Sequence, residues 1–311
     1  MKLAQITDMI AIVEHGSLRA AARRLGVPQP ALTRSVRALE KELGVTLFER
    51  ETRGMTLTSS GELFHRRAHV IVSELRRARE ELAQDRGDDT GEIVAAMSIM
   101  PHLGMLPRAL PVFRKRYPRV RLRLIEGLFP HVESRLRNGS IDFYLGAGPQ
   151  TAPAPGLKVE RLFENTRAVV ARKGHPLAAA RSLRQLVDAE WAVTSINYNA
   201  EDDLRGLFAG HKLAPPRVTL QASSTLSLMI GLLHSDLLAL LPTQWNEFDL
   251  TRDALVRVPI REQLEAPVAV LIRRPDLPLT PAAQFFCDVM GRYAPKAAPI
   301  RPPLRVQPRR A

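Results

Sequence analysis

The segment from residue 16 to residue 43 contains two short amphipathic helical patterns, separated by a three-residue break. Ala21 and Ala22 occupy inward positions of the first pattern, where small side chains let a neighbouring helix approach closely. Gly26 supplies a helix stop, and Pro28 favours the first turn of the following helix. This spacing predicts a helix-turn-helix. The spacing alone fits an ordinary helical hairpin equally well.

Elements on both sides of this segment favour the first interpretation. Apolar residues recur at helical spacing over residues 3–15 and predict a preceding helix. Two strand-like runs, 47–50 and 55–58, flank Thr52-Arg53-Gly54 and predict a hairpin beside the helices. We therefore expect a mainly α-helical winged helix-turn-helix over residues 1–58.

A long helix is predicted after the hairpin, starting at Thr58 or Ser59 and ending near Arg86. Its apolar positions alternate at spacings of four and three, as in a heptad seam: Phe64, Ala68, Ile71, Leu75, Ala78 and Leu82. A second copy of the chain is the simplest cover for this seam, so we expect a homodimer through the 58–86 helix. The alternative is that the helix packs only onto its own chain.

The pattern changes after the linker at residues 87–91. Strand-like runs at 93–99, 120–126 and 141–145 alternate with helical runs at 103–117 and 131–138. This alternation predicts an α/β domain with parallel strands. A second series from about residue 167 to 241, followed by a late strand at 268–272, predicts two lobes with a cleft between them.

The expected domain organisation follows from these elements. We place a linker helix and hinge at 59–90 and an α/β domain at 91–295, with lobe I at about 91–163 and 268–295 and lobe II at about 164–267. The tail, 296–311, is basic and rich in proline, with no acidic residue, so we expect it to be disordered.

The formal net charge of +13 suggests a nucleic-acid partner, but its distribution does not identify the contact. Residues 1–90 carry 15 Lys and Arg against 13 Asp and Glu, so the excess lies in the α/β half. The single cysteine, Cys287, excludes an intramolecular disulfide. No secretory segment or membrane-length apolar run is evident, and we expect a cytoplasmic protein without a membrane partner.

The N-terminal motifs resemble the signature of LysR-type transcriptional regulators. The residues that carry the resemblance are Gly16-Ser17-Leu18-Arg19-Ala20-Ala21-Ala22, Leu25-Gly26-Val27-Pro28-Gln29-Pro30-Ala31-Leu32-Thr33-Arg34, Leu39-Glu40, Leu43-Gly44, Leu47-Phe48-Glu49-Arg50 and Leu57-Thr58. The resemblance implies a promoter-binding regulator with a two-lobed, periplasmic-binding-protein-like effector domain, assembled as a tetramer. Residues 234–242 and 273–278 resemble members that regulate aromatic-compound catabolism. RNA polymerase is a candidate further partner.

The second helix of the pair is expected to enter the major groove of double-stranded DNA, because its N-terminal side chains can reach base edges. Glutamine suits adenine, arginine suits guanine, and a proline ring can pack on a thymine methyl group. The hairpin arginines would reach the backbone or minor groove. The expected DNA-binding residues are Gln29, Pro30, Thr33, Arg34, Arg37, Arg50 and Arg53.

A small effector, either an organic acid or an aromatic compound, is expected where strands end at the crevice between the lobes. Free N–H groups at the helix start near residue 99, together with the Ser98 hydroxyl, predict an anion site. The expected effector-binding residues are Ser98, Met100, Pro101, His102, Phe129, Pro130, Ser195, Asn197, Ser224 and Thr225. Capping or loop packing is the simpler explanation for any single one of them, but together they mark the cleft.

Two other classes of protein compete with a regulator. An enzyme would need catalytic or cofactor motifs, and the sequence contains no nucleophile elbow, phosphate loop, metalloprotease motif or dinucleotide fingerprint. Cys287 fits a structural thiol, and His65 and His69 have no evident third metal ligand. We therefore expect no catalytic residue, metal or cofactor. A solute-binding protein would not need the helix-turn-helix.

Overall fold

The computed structural model describes residues 1–51, 54–129, 131–149, 151–194 and 200–295. Its N-terminal unit contains three helices and a two-stranded hairpin. The elements are α1 (Leu3–His15), α2 (Leu18–Leu25), α3 (Gln29–Leu43), β1 (Phe48–Glu51) and β2 (Gly54–Leu57). The strands β1 and β2 are antiparallel, as the winged helix-turn-helix prediction requires.

Local chemistry fixes the turn between α2 and α3. The Ser17 hydroxyl accepts a hydrogen bond from the Ala20 N–H at 3.2 Å and caps α2. Gly26 ends the helix with φ of 69°, a left-handed conformation that glycine adopts without steric cost. Ala21 and Ala22 are buried against α1 and α3, together with Leu32 and Val36. The alanines therefore permit the close helix packing that the sequence predicted.

A single long helix, α4 (Ser59–Asp85), joins this unit to the rest of the chain. Its N-terminal half packs on α1, where Ala68 is fully buried beside Ile6 and Ile10. Its C-terminal half lies on the α/β domain, and Gln84 Oε1 accepts a hydrogen bond from the Ala282 N–H at 2.9 Å. The helix therefore contacts both functional halves of the protein.

The first lobe has a five-stranded sheet in the order β4-β3-β5-β12-β6. Its elements are β3 (Gly91–Met97), α5 (Ile99–Gly104), α6 (Leu106–Arg116), β4 (Val120–Glu126), α7 (Glu133–Arg137), β5 (Phe143–Ala147), β6 (Lys158–Phe163), β12 (Ala269–Arg273) and α10 (Pro281–Arg292). The predicted strand at 93–99 and the helix at 103–117 are wrong in detail. The strand ends at Met97, and Ser98 starts a short helix, because Ser98 has extended backbone angles that favour a helix N-cap.

The second lobe also has a five-stranded sheet, in the order β11-β7-β10-β8-β9. Its elements are β7 (Arg167–Arg172), β8 (Glu190–Thr194), α8 (Ala200–Gly210), β9 (Arg217–Ala222), α9 (Thr225–His234), β10 (Leu237–Pro242) and β11 (Leu255–Val258). Trp191 and Phe208 form an edge-to-face pair in its core.

The prediction of parallel strands holds for only part of each sheet. The pairs β3–β4, β3–β5, β8–β9 and β8–β10 are parallel. The strands next to the crossovers, β7 and β12, are antiparallel to their neighbours. The chain passes between the lobes twice. The first strand after each crossover runs in the direction opposite to its neighbours in the sheet.

The two lobes touch through α5 and the start of α9. Ile99 and Leu103 of α5 pack against the core of lobe II, and the Thr225 hydroxyl donates a hydrogen bond to the Glu126 carboxylate. These contacts hold the lobes on either side of a cleft. Across the described residues, no helix is both long and apolar enough to cross a membrane.

Candidate nucleic-acid interface and interlobe cleft

The N-terminal half of α3 presents an exposed polar surface. Gln29, Pro30, Arg34 and Arg37 are exposed, whereas Leu32 and Val36 are buried on the opposite face. Within the described part of the chain, the side chains of Arg34 and Arg37 form no hydrogen bond or ion pair. Their guanidinium groups are therefore available to an external acceptor such as a base edge or a phosphate.

Thr33 and Glu40 are occupied within the domain. The Thr33 hydroxyl donates to the Gln29 carbonyl at 3.1 Å, one turn earlier in α3. The Glu40 carboxylate accepts hydrogen bonds from the N–H groups of Leu47 at 2.8 Å and Phe48 at 3.3 Å. This acidic side chain therefore holds the hairpin in place and contributes its charge away from the exposed tip of α3.

The hairpin arginines are only partly covered by the structure. The backbone of Arg50 lies in β1, opposite Met55 in the ladder. The Arg50 side chain and all of Arg53 lie outside the described residues. Their proposed contacts with DNA backbone therefore stay predictions from the sequence.

Two cavities lie between the lobes of the α/β domain. The smaller cavity, of about 100 Å³, is lined by α5, the ends of β5 and β8, the start of α8 and β10. The larger cavity, of about 910 Å³, lies beside the crossover segments and is lined by β6, α8 and residues 263–268. Arg167, Asp203, Leu240 and Pro267 line both cavities, which are therefore adjacent.

The structure places the predicted effector residues in different environments. Ser98 and Met100 line the smaller cavity. Pro101 is buried within α5, and the His102 Nδ1–H donates to the Ser98 carbonyl at 2.8 Å. Neither residue lines either of the two cavities.

The remaining predicted residues lie around the cleft or outside the described chain. Phe129 is buried in lobe I, with its ring 6.0 Å from that of Tyr144. Ser224 caps α9 by accepting from the Ser227 N–H at 3.1 Å, and Thr225 contacts Glu126 across the lobes. Pro130, Ser195 and Asn197 lie outside the described residues.

Sequence reasoning missed two charged residues, Arg167 and Asp203, among the described residues that line the smaller cavity. Arg167 is the first residue of β7, and Asp203 lies in the first turn of α8. Both terminal nitrogens of Arg167 lie 3.5 Å from Asp203 Oδ2. The two residues are 36 positions apart, so only the fold brings them together.

Ser98 lies in a tightly packed corner of this cavity. It is 4% exposed, and its Oγ makes no hydrogen bond of ordinary geometry to any described residue. A Cβ on Gly146 would lie 2.6 Å from both Ser98 Oγ and the Tyr144 hydroxyl, so glycine is required there. Burial raises the pKa of Tyr144 well above its ordinary value, which keeps the phenol protonated, and its hydroxyl donates to the Ala147 carbonyl at 3.0 Å.

Cys287 and the His65–His69 pair are the candidates for catalysis or metal binding considered from the sequence. Burial raises the pKa of the Cys287 thiol well above its usual value, which disfavours the nucleophilic thiolate. His65 and His69 pair with each other on α4, with Nε2 atoms 3.1 Å apart. Over the residues that are described, no three His, Cys, Asp or Glu side chains form a group that could hold a metal ion.

Comparisons with known proteins agree with this arrangement. Residues 3–62 match the family described as bacterial regulatory helix-turn-helix protein, lysR family, and residues 86–295 match the LysR substrate binding domain. The chain is 25% identical over 287 residues to the transcriptional regulator GbpR of Azospirillum brasilense, covering 91% of this chain and 84% of GbpR. It is 30% identical to the regulator GalR of Pseudomonas putida, covering 88% and 69% of the two chains.

Solved structures show the same fold. The LysR family regulator CbnR superposes with a TM-score of 0.68 at 23% identity, covering 95% of this chain and 100% of CbnR. Full-length CbnR in complex with its target DNA gives a TM-score of 0.66, also at 23% identity, with coverage of 94% and 100%.

Proposed function

Because this chain belongs to the LysR family of bacterial transcriptional regulators, we propose that it binds one class of promoter sequence and responds to a small effector between its lobes. The proposal is carried by the side chains of Arg34 and Arg37, which are exposed on α3 and have no partner among the described residues. Helix α4 connects this surface to a two-lobed domain with a cleft. Residues 1–58 bind the DNA, residues 59–90 connect the DNA-binding domain to the effector domain, and residues 91–295 bind the effector. The protein acts as a regulator and has no catalytic role.

DNA recognition rests on a few side chains in a domain of low net charge. Gln29, Pro30 and Arg34 face outward at the start of α3, where a recognition helix meets base edges. Thr33 contributes its methyl group more readily than its hydroxyl, which already donates to the Gln29 carbonyl. Arg37, Arg50 and Arg53 supply contacts to the phosphate backbone or the minor groove.

The heptad positions of α4 support a homodimer. Ile71 and Leu82 are 42% and 64% exposed in the single chain, whereas Ala68 is covered by α1. A second α4 packed on this seam would cover both exposed residues and place two α3 helices on one duplex. We propose this dimer as the unit of a tetramer, with RNA polymerase as a further partner.

Regulation is proposed to act through the relative position of the lobes. The effector is a small organic acid or an aromatic compound, held by residues of both lobes, with Ser98 and Met100 on the lobe I side. An effector that binds better to one state of closure shifts the population towards that state. The α5 contacts with lobe II and the position of α4 on lobe I transmit this shift to the DNA-binding domains.

The test is a gel-shift assay with DNA that the full-length protein has selected from a random pool. We expect one enriched motif that is an interrupted dyad, because two α3 helices in a symmetric dimer contact two half-sites. The Arg34→Ala variant should lose the enrichment while a surface variant, Arg184→Ala, retains it. Failure to enrich any motif at physiological salt would contradict the proposal.

A further inference from the structure

The smaller cavity between the lobes has the composition of a binding site for a small polar molecule. Its walls are mainly apolar, and polar side chains converge from both lobes: Ser98 from lobe I, and Asn165, Arg167, Thr194 and Asp203 from lobe II. Ligand sites typically combine an apolar lining with a few such groups. A volume of about 100 Å³ restricts the occupant to a few heavy atoms beyond its polar ends.

The charges in this cavity are balanced and mostly desolvated. Arg167 is 15% exposed and Asp203 is 23% exposed, measured on their side chains. Among the described residues that line this cavity, Arg167 and Asp203 are the charged ones. Because desolvated charges must be compensated, a ligand that carries one negative and one positive group matches this pair better than a ligand with one net charge.

The Arg167–Asp203 pair is also long. Both of its hydrogen bonds measure 3.5 Å, whereas charge-assisted hydrogen bonds between nitrogen and oxygen are normally about 2.7–2.9 Å. The guanidinium group has five N–H donors, and the two that face Asp203 share a single oxygen. Shorter contacts between a ligand carboxylate and the Arg167 guanidinium group therefore compete well with this pair.

The buried hydroxyl group of Ser98 is an independent observation that supports a ligand in this cavity. Its Oγ is buried and lines the cavity, and its interaction with the neighbouring Tyr144 hydroxyl does not have ordinary hydrogen-bond geometry. Buried hydroxyl groups normally have a well-aligned partner, because burying an unsatisfied polar group is unfavourable. A ligand oxygen that enters from lobe II would satisfy it.

We propose that the cavity binds a small zwitterionic α-amino acid. The carboxylate would lie between the Arg167 guanidinium and the Ser98 hydroxyl, and the ammonium group would face the Asp203 carboxylate. The short side chain would contact Leu204 and Leu240. This arrangement adds no net charge, completes the Ser98 hydrogen bond and joins the two lobes. The inference rests on the proposed function only in treating this cleft as the effector site.

The test compares three molecules that share one carbon skeleton. L-valine carries both charged groups, isovalerate only the carboxylate, and isobutylamine only the ammonium group. Calorimetry with the full-length protein should show L-valine binding at least 100-fold more tightly than either of the others. The other small amino acids L-alanine, L-serine and L-threonine are measured in the same way, because the side-chain space accepts several shapes.

Two variants separate the roles of the charged residues. Arg167→Met should abolish amino acid binding, because the carboxylate loses its counter-charge. Asp203→Asn should weaken L-valine binding at least tenfold and bring isovalerate to comparable affinity, since an anion is no longer repelled. Arg205→Met is the matched control on the same helix. The Arg205 side chain is 58% exposed, and its ion pair among the described residues is with Glu201. This variant should leave binding unchanged.

Each outcome decides the question. Equal binding of isovalerate and L-valine by the unmodified protein would overturn the zwitterion inference in favour of a simple anion site. Binding of none of the four amino acids would overturn it outright. Gel-shift assays without any ligand show separately whether the proposed regulator function holds, since selection of a DNA motif can be measured before an amino acid is added. An amino acid that binds without changing the DNA footprint would contradict only the effector role.

Discussion

The carboxylate of Asp142 lies 2.8 Å from the guanidinium group of Arg77, and each side chain is only 5% exposed. Arg77 belongs to α4, and Asp142 directly precedes β5 in lobe I. The other carboxylate oxygen of Asp142 accepts a hydrogen bond from the Val94 N–H at 2.7 Å. A neighbouring arginine, Arg76, contacts the same carboxylate at 3.2 Å. One acidic residue therefore joins the linker helix to strand β3 of lobe I.

Replacement of Asp142 by alanine is expected to weaken this junction strongly. The substitution leaves the buried Arg77 charge without compensation, and losing one partner of a buried pair costs about 3–5 kcal/mol. Hydrogen exchange should show a drop of this size in the opening free energy of α4 residues 73–84 and of β3. Asp249→Ala is the control, because the Asp249–Arg252 pair is exposed and such pairs contribute about 0–1 kcal/mol. Unchanged protection in Asp142→Ala would show that the ion pair does not hold the junction.

The sequence predicts well those features that depend on neighbouring residues. Ser17, Gly26 and Pro28 act within one turn of their own positions, so the helix-turn-helix and the hairpin could be inferred. The long helix was also predictable, because its seam repeats within the helix. What the periodicity could not show is that its other face, with Arg77, packs on lobe I.

The cleft was harder to predict, because its residues meet only through the fold. Ser98 and Met100 follow a strand, and strand ends mark crevices in α/β domains. No local sequence pattern marks Arg167 and Asp203, and the two residues come together only because of the way the chain folds in lobe II. The mixed direction of the strands has the same origin, since a strand's direction depends on which end of the sheet the chain enters.

Gly61 should not tolerate the substitution that most helices prefer. Glycine to alanine within a helix normally stabilises it by about 1 kcal/mol. A Cβ on Gly61, however, would overlap the backbone carbonyl of Leu47, which cannot move without displacing the hairpin. We expect Gly61→Ala to destabilise the N-terminal domain by about 1–3 kcal/mol, as overpacking does.

The measurement for Gly61→Ala can be confined to the affected domain. Hydrogen exchange of peptides from residues 28–57 should accelerate, while the fluorescence melting curve of Trp191 and Trp245, both in lobe II, stays unchanged. Gly291→Ala is the matched control, because Gly291 lies in α10 with open space around its Cβ position. A Gly61→Ala protein with unchanged exchange would mean that α4 can shift away from the hairpin without cost.

Arg34 and Arg37 are expected to differ in what they contribute to DNA binding. Arg34 lies nearer to the N-terminus of α3, so Arg34→Ala should cost about 1–3 kcal/mol of affinity and relax the preference at one base position. Arg37→Ala should weaken binding to all sequences equally and lower the slope of log affinity against log salt by about one phosphate contact. Competition gel shifts at several salt concentrations separate the two effects. Identical salt slopes and identical sequence preferences in both variants would contradict this division.

The His65 and His69 pair should make folding sensitive to acid. The two rings lie one turn apart on α4, with Glu14 of α1 and Arg135 of α7 as neighbouring charges. Burial, with a smaller contribution from His69, lowers the pKa of His65 to about 4, and burial with Arg135 lowers that of His69. In the unfolded chain both pKa values return to about 6.5, so the unfolded chain binds protons first.

The contribution of this pair to the free energy of unfolding is therefore fully present above about pH 6.5. It is lost as the pH falls from 6.5 towards 4. The melting temperature of the unmodified protein should decrease steadily across that interval. The double variant His65→Gln, His69→Gln keeps polar side chains at both positions but removes both titrating groups, so its decrease should be smaller. Comparing the two curves point by point cancels the contribution of every other acid and base in the chain. If the curves run parallel from pH 7.5 to pH 5, protonation of the pair does not oppose folding, and the contact between α4 and α1 does not depend on two neutral imidazoles.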